Sequence, residues 1–248
     1  MNAGTLAAIA VSPFVGSFLA VVAVRLPAGK GFVSGRSACD ACGAVLGPGE
    51  LVPLVSYALQ RGRCRHCGAA IDRLHPVMEL AALLIAVWAA VATPDLVAIV
   101  SCLLGWALLL LAAIDWRTGL LPDVLTLPLL VAGLAVAAAF APEDLLGHVI
   151  GAAAGLILFA GLSLLYRRVR RRDGLGLGDA KLLAAGGAWL SWTALPSVIL
   201  FASLIALALV LLRRPRGEAF DAASRIAFGP ALAGAIWIVW LYGPLVLG

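Results

Sequence analysis

The sequence predicts an all-α, polytopic membrane protein of about eight transmembrane helices with a small cytoplasmic zinc-binding loop domain. Three observations carry this: an apolar composition, the spacing of apolar runs, and two cysteine pairs in the longest loop. Of 248 residues, 63% are hydrophobic and 12% charged, about half the ~25% charge of an ordinary soluble domain. With a mean hydropathy of +1.06, the chain lacks the polar surface to wrap a water-soluble core. If each span needs ~20 apolar residues, eight spans would take roughly 160 positions, close to the apolar content.

Apolar runs fall near 5–27, 77–93, 96–114, 120–140, 145–166, 180–191, 195–212 and 226–247. The sixth is short. The opening run is followed, not preceded, by Arg25 and Lys30, and no small-residue cleavage site succeeds it. That order predicts an uncleaved first span entering from outside, with Pro13 and Gly16 as tolerated irregularities.

The loops alternate between two sides. Basic residues number seven from Arg25 to Arg73, one at Arg117, six from Arg167 to Lys181 and four from Arg213 to Arg225, which accounts for all 18. The opposite loops, 92–96, 141–144 and 191–194, carry Asp95, Glu143 and Asp144 but no Lys or Arg. The positive-inside rule therefore places 28–76, 115–119, 167–179 and 213–225 in the cytoplasm and both termini outside. The net charge of +5 then reports topology, and no nucleic-acid partner is expected. The Arg167–Arg172 cluster is expected to set topology and meet anionic lipid.

Four of the five cysteines lie in the 28–76 loop as Cys39-Asp-Ala-Cys42-Gly and Cys64-Arg-His-Cys67-Gly. Each glycine allows a tight turn that aims both thiolates at one ion. Two such knuckles supply the four sulfurs of a structural zinc site, whose binding would supply folding free energy to a loop with little apolar core. Disulfides, or an electron-passing thiol oxidoreductase, are the competing readings, and the reducing cytoplasmic side argues against both. His66, inside the second knuckle, is expected to be solvated; Cys102, inside a span, to be a small packing residue; His148, to be an interfacial residue on the outer side.

Ionisable groups near a membrane are costly to hold and attract a functional reading. Three acids stand where predicted cytoplasmic loops meet helices: Asp115, Asp123 and Asp179. Asp123 after Pro122 and Asp179 after a glycine run both stand near helix starts, where a carboxylate can satisfy orphan N–H groups, and Asp123 reads mainly as such a cap. Asp115 ends a span, where the helix dipole disfavours an anion, so capping of its own helix fails for it. Asp179 closes the run Gly174-Leu-Gly176-Leu-Gly178. No Gly-Lys-Ser/Thr follows the run and no strand precedes it, so phosphate-loop and dinucleotide readings fall. A backbone stripped of side chains beside an acid would admit a substrate chain. Two carboxylates on separate helices at one membrane face would form an aspartyl protease dyad sharing one proton.

At this point the residues resemble the type IV prepilin leader peptidases, within the intramembrane aspartyl proteases bearing Gly-x-Gly-Asp. The likeness runs through Gly16-Ser-Phe-Leu19, Arg25-Leu-Pro27, both cysteine knuckles, Pro53-Leu-Val-Ser56-Tyr57 and Met78-Glu79-Leu80. It continues in Ile114-Asp115, Leu121-Pro122-Asp123, Gly176-Leu-Gly178-Asp179-Ala-Lys181-Leu182 and Phe228-Gly229-Pro230. The resemblance implies an enzyme of the bacterial inner membrane that removes the basic leader of pilin-like precursors at the cytoplasmic face, with Asp115 and Asp179 as the catalytic pair. It also implies methylation of the new N-terminus with S-adenosylmethionine, since the cysteine loop is kept. Ala20 departs from the asparagine common in the family after Gly-Ser-Phe-Leu. The expected division is a first transmembrane helix (1–27), a cytoplasmic four-cysteine zinc loop with ligands Cys39, Cys42, Cys64 and Cys67 (28–76), and a transmembrane aspartyl protease core (77–248). Asp72, Glu79 and Asp123 are candidates to meet a basic leader. The competing classes are a transporter or channel component with an acidic proton path, disfavoured by the few polar residues within spans, and a nonenzymatic scaffold docking partners through the zinc loop.

The topology is directly testable. A reporter active only outside the cytoplasm should be active when fused after Thr93 or Glu143 and silent after Gly62 or Arg170; the reverse pattern would invert the assigned orientation.

Overall fold

The computed structural model describes residues 2–31, 36–170, 176–213 and 227–245. Gly174, Arg171, Arg172 and most of the basic 213–225 loop lie outside the described residues. Nine α-helices occur among those described: α1 (Ala3–Arg25), α2 (Val55–Leu59), α3 (Leu74–Ala92), α4 (Asp95–Thr118), α5 (Asp123–Phe140), α6 (Leu145–Arg170), α7 (Leu177–Leu190), α8 (Leu195–Arg213) and α9 (Gly229–Tyr242). All but α2, a short helix of the cysteine loop, coincide with the eight apolar runs. Six of them, α1, α3, α4, α5, α6 and α8, are long and apolar enough to cross a membrane. The chain is thus an all-helical, multi-pass membrane protein. Helices are what the solvent dictates, since lipid offers no partner for a backbone N–H or C=O and an α-helix satisfies both internally.

The chain divides into two compact units, Met1–Leu110 and Leu111–Gly248. In the first, α1 packs along α3. Gly16 makes the approach possible: a Cβ there would stand 2.6 Å from the Glu79 Cα. Asn2 caps α1 by accepting from the Thr5 N–H at 2.9 Å. The Trp106 indole of α4 donates to the Ala82 carbonyl of α3 at 3.1 Å. Cys102 is buried in α4, as its packing role predicts.

In the second unit α7 is the central element, packed against α5, α6, α8 and α9. Every residue from Leu182 to Trp189 is buried. This accounts for the shortness of the sixth run. A 14-residue helix is about 21 Å long, too short for a ~30 Å hydrocarbon core, but a helix enclosed by its neighbours has no lipid to span. Lipid tails give helices no hydrophobic reason to associate, so close backbone contact between small residues does the work. A Cβ on Gly187 of α7 would collide with the Gly151 carbonyl of α6, and one on Gly155 would meet the Leu183 carbonyl at 2.8 Å. Further along α7, Trp189 donates to the Leu129 carbonyl of α5 at 2.9 Å and meets Trp240 of α9 edge-on at 5.3 Å.

His148 departs from the sequence expectation. It is buried, with Nδ1 2.9 Å from the Ala188 carbonyl of α7 and Nε2 3.8 Å from Asp144. The intimate α6–α7 contact encloses it, where an isolated α6 would have left it at an interface.

Gly187→Val should break the α6–α7 contact, because the added carbons have only backbone to displace. Overpacking of this kind costs about 1–3 kcal/mol and should lower the thermal midpoint in detergent micelles. Gly161→Ala, at a position with open space around it, should leave the midpoint unchanged or raise it slightly. Equal midpoints for Gly187→Val and the parent would remove this contact from the account.

Candidate functional site

Two clusters of chemistry-bearing residues emerge, one in each unit. In the second unit, Asp115 lies in the last turn of α4 and is 6% exposed, while Asp179 lies in the first turn of α7 and is 8% exposed. The carboxylates are near enough to interact electrostatically. Each is fixed by one backbone donor at a helix start. Asp115 Oδ2 accepts from the Gly229 N–H at 2.9 Å, and Asp179 Oδ2 from the Gly176 N–H at 3.2 Å. Helix N-termini leave amide groups without intrahelical partners and carry partial positive charge, which is why they hold carboxylates here. The second oxygen of Asp179, Oδ1, is buried and has no hydrogen-bond partner among the described residues.

The acid at the end of a span therefore does cap a helix, though not its own. Asp115 is unfavourably placed with respect to the α4 dipole, and α9 compensates by presenting its first N–H. Gly229 is required for that approach, since a Cβ there would lie 2.6 Å from Asp115 Oδ2. Sequence reasoning did not assign Gly229 a role. The available signal was the Phe228-Gly229-Pro230 string, with proline at the start of a helix where its missing N–H costs nothing.

Asp123 corrects the capping expectation. It is the first residue of α5, the N-cap position is Pro122, and no side chain caps there. Its Oδ1 instead pairs with Lys181 Nζ of α7 at 2.6 Å. The open reading of the glycine run is corrected at Gly178. A Cβ on Gly178 would stand 2.8 Å from the Leu121 Cβ, so the bare backbone receives the chain's own Leu121 rather than lying open. Glu79, expected among the acids facing a leader, is buried in α3, and its Oε2 accepts the Leu54 N–H at 2.7 Å.

The second cluster is the cysteine loop. The two knuckles fold alike. Gly43 and Gly68, both with φ +72°, donate back to the carbonyls of Cys39 and Cys64 at 2.8 and 2.9 Å. Each knuckle is closed by one antiparallel bridge, Ala38 with Val45 and Arg63 with Ala70. The left-handed backbone is why glycine follows each cysteine pair. The Sγ atoms of Cys39, Cys42, Cys64 and Cys67 all lie within 4.8 Å of one another, and Cys39 and Cys67 are 3.9 Å apart. Tetrahedral zinc with bonds of about 2.3 Å separates its sulfurs by about 3.8 Å, so the cluster is compatible with zinc. No disulfide links these cysteines.

Cys39 and Cys67 hold their protons unequally. Cys39 is brought down to about 7, foremost by the backbone N–H of Cys42 and then that of Ala41. Cys67 is pushed up to about 11: the Ala69 N–H pulls downward, but the neighbouring thiols, Cys42 foremost, and burial together outweigh it. A divalent cation is the group that favours deprotonation of all four. His66 stays outside the cluster, half exposed, with Nε2 3.7 Å from Glu50 Oε2.

A multi-pass helical protein with a pair of buried carboxylates fixed at the starts of two helices, and a loop that gathers four cysteines, is the class that fold and site define. Comparison with known proteins narrows it. Residues 10–93 match the bacterial peptidase A24 N-terminal domain and residues 102–211 the type IV leader peptidase family. Among curated relatives, a prepilin leader peptidase/N-methyltransferase of Burkholderia pseudomallei is 44% identical over 84% of this chain and 67% of its own length. One of Aeromonas salmonicida is 42% identical over 84% of this chain and 72% of its own. One of Pseudomonas aeruginosa is 38% identical over 92% of this chain and 87% of its own. This chain belongs to the type IV leader peptidase family. No solved structure matches it.

Proposed function

We propose that this chain is an aspartic endopeptidase that removes the basic leader from type IV prepilin-like precursors, and that it methylates the new N-terminus. Its relatives carry both activities in their names, and an acid pair suits the first. The observation that carries the reading is the buried, unpartnered Asp179 Oδ1 beside Asp115. A buried carboxylate oxygen left without a donor is costly unless something occupies it in the working state. In a dyad that something is water or the scissile carbonyl.

The chemistry follows from the pair. Two carboxylates at short range resist double ionisation and share one proton. The ionised member takes a proton from water, and the resulting oxygen nucleophile attacks the scissile carbonyl. The protonated member donates a hydrogen bond to that carbonyl and stabilises the developing oxyanion. The Gly229 and Gly176 N–H groups hold one oxygen of each acid and leave the other to the reaction. The Asp123–Lys181 pair ties the start of α5 to α7 beside Asp179. The distribution of basic residues supports an inner-membrane enzyme with this site and the cysteine loop toward the cytoplasm, where a basic leader would reside.

The four cysteines, Cys39, Cys42, Cys64 and Cys67, are assigned as ligands of a structural zinc that organises the 28–76 loop. S-adenosylmethionine is the methyl donor that the relatives' second activity calls for.

Asp115→Asn and Asp179→Asn should each abolish leader cleavage, scored by mass spectrometry of a pilin-like precursor, with expression and membrane insertion unchanged. An amide keeps the shape of the acid but can neither accept the proton from water nor share one, so the double variant should be scarcely worse than either single one. The pH–rate profile should be a bell whose limbs belong to the pair. Asp123→Asn, which loses only a partly exposed ion pair worth about 0–1 kcal/mol, should retain most of the activity. Substantial turnover by either Asn variant of the pair would refute the assignment; a dead Asp123→Asn would redraw the pair around that residue.

Purified protein should carry about one zinc per chain. The Cys39→Ser plus Cys64→Ser variant should lose it and expose the 28–76 loop to protease, as elemental analysis and limited proteolysis would record. A compact, metal-free loop with disulfides in cells would return the oxidoreductase reading.

A further inference from the structure

The first unit contains a pocket of about 280 Å³ between the loop-side ends of α1 and α3 and the inner face of the cysteine loop. This is near the small end of the range of about 300–1,000 Å³ that small-molecule sites occupy. Its walls include Ser17 and Arg25 of α1, Glu50 of the loop, Tyr57 of α2, and His75 and Glu79 of α3. We infer that this pocket is the S-adenosylmethionine site, with Glu50 and Glu79 as the carboxylates that select its cationic sulfur; the inference rests on the methyltransferase part of the proposed function.

Fixed charge in a mostly apolar cavity selects the ligand. Glu79 is 5% exposed, and the Leu54 N–H fixes its Oε2 at 2.7 Å. Glu50 has Oε2 on the Gly47 N–H at 2.9 Å, while its Oε1 is buried without a partner among the described residues. Two immobilised carboxylates lining one pocket disfavour an anion and call for a cation. A sulfonium suits such a cavity better than an ammonium. It has no hydrogen to donate and is weakly hydrated, so it is satisfied by nearby negative charge and by an aromatic face such as that of Tyr57. Arg25 is the wall group able to receive the ligand's own carboxylate. A lysine or arginine side chain from a leader peptide would offer the cation but leave much of the volume unfilled.

The pocket also explains a feature that the peptidase reading leaves unused. Glu79 is a buried acid on a membrane helix, expensive to keep there, and it belongs to the first unit, whereas Asp115 and Asp179 belong to the second. Its bond to Leu54, a non-glycine residue at φ +60°, shapes the turn that leads into α2 and so places Tyr57. Cys39 and Cys64 form part of the same lining. A metal-organised loop would thereby complete the pocket wall.

The test is binding, measured by isothermal titration calorimetry on the full-length, zinc-loaded protein in detergent micelles. S-adenosylmethionine is titrated alongside S-adenosylhomocysteine, which has the same parts but a neutral sulfur. Ser17→Trp, which fills the pocket from α1, should weaken both ligands by more than about tenfold, the equivalent of about 1.4 kcal/mol. Glu50→Gln and Glu79→Gln keep an acceptor oxygen for the Gly47 and Leu54 N–H groups. At least one of them should weaken S-adenosylmethionine by about tenfold while changing S-adenosylhomocysteine much less. Leader cleavage and zinc content of each variant report whether the fold survives, and cleavage by the parent protein tests the peptidase reading separately. Undiminished binding by Ser17→Trp, equal weakening of the two ligands by both Gln variants, or no binding by the parent would overturn the assignment.

Discussion

The hydrogen bond from the Gly229 N–H to Asp115 Oδ2, at 2.9 Å, is the contact on which the second unit's site depends. A carboxylate in the last turn of a membrane helix meets the negative end of that helix's own dipole. It remains there because α9 begins beside it and supplies an N–H that would otherwise have no partner. The same logic holds Asp179 at the start of α7 through Gly176. Two local deficits, an anion without a counter-charge and an amide without an acceptor, cancel at each position. Because the donors are backbone atoms at helix starts, the carboxylates are located by the positions of whole helices rather than by flexible side chains.

That arrangement depends in turn on glycines. Gly229 admits the Asp115 carboxylate, and Gly178 admits Leu121. Deeper in the unit, Gly151, Gly155 and Gly187 bring the α6 and α7 backbones into contact. In lipid, where apolar area gives helices little reason to pair, such close approach supplies the packing that holds α7 at the centre. A buried α7 then needs no membrane-spanning length, and its first turn is free to carry function.

The first unit solves a different problem. Its loop between α1 and α3 buries few side chains of its own, Pro53 and Cys64 among the described residues, and it is organised by two copies of one knuckle whose glycines adopt φ +72°. The four sulfurs converge without a disulfide. Behind them, Glu50 and Glu79 are fixed by backbone N–H groups, the same device that holds Asp115 and Asp179. Among the described residues, the buried acids Glu79, Asp115 and Asp179 each accept from a backbone amide at a turn or helix start.

The sequence by itself determined much of this protein. Apolar runs located eight of the described helices because a lipid solvent permits little else, and the repeated Cys-x-x-Cys-Gly brought the four sulfurs together because a knuckle is a local structure set by nearest neighbours. The pairing of Asp115 with Asp179 was legible as two acids at the loop ends of separate spans. The partner of Asp179 is local, the Gly176 N–H three residues before it; the partners of Asp115 and Asp123 were not legible. Gly229 lies 114 residues from Asp115 and Lys181 lies 58 from Asp123, distances at which periodicity and spacing carry no information. Sequence reasoning assigned Asp123 to a cap, His148 to an interface and Gly178 to an open face, and each outcome was decided by a neighbouring helix. The tertiary structure alone fixed which helix start faces Asp115, because that follows from side-chain volume between packed helices, a property no single segment contains.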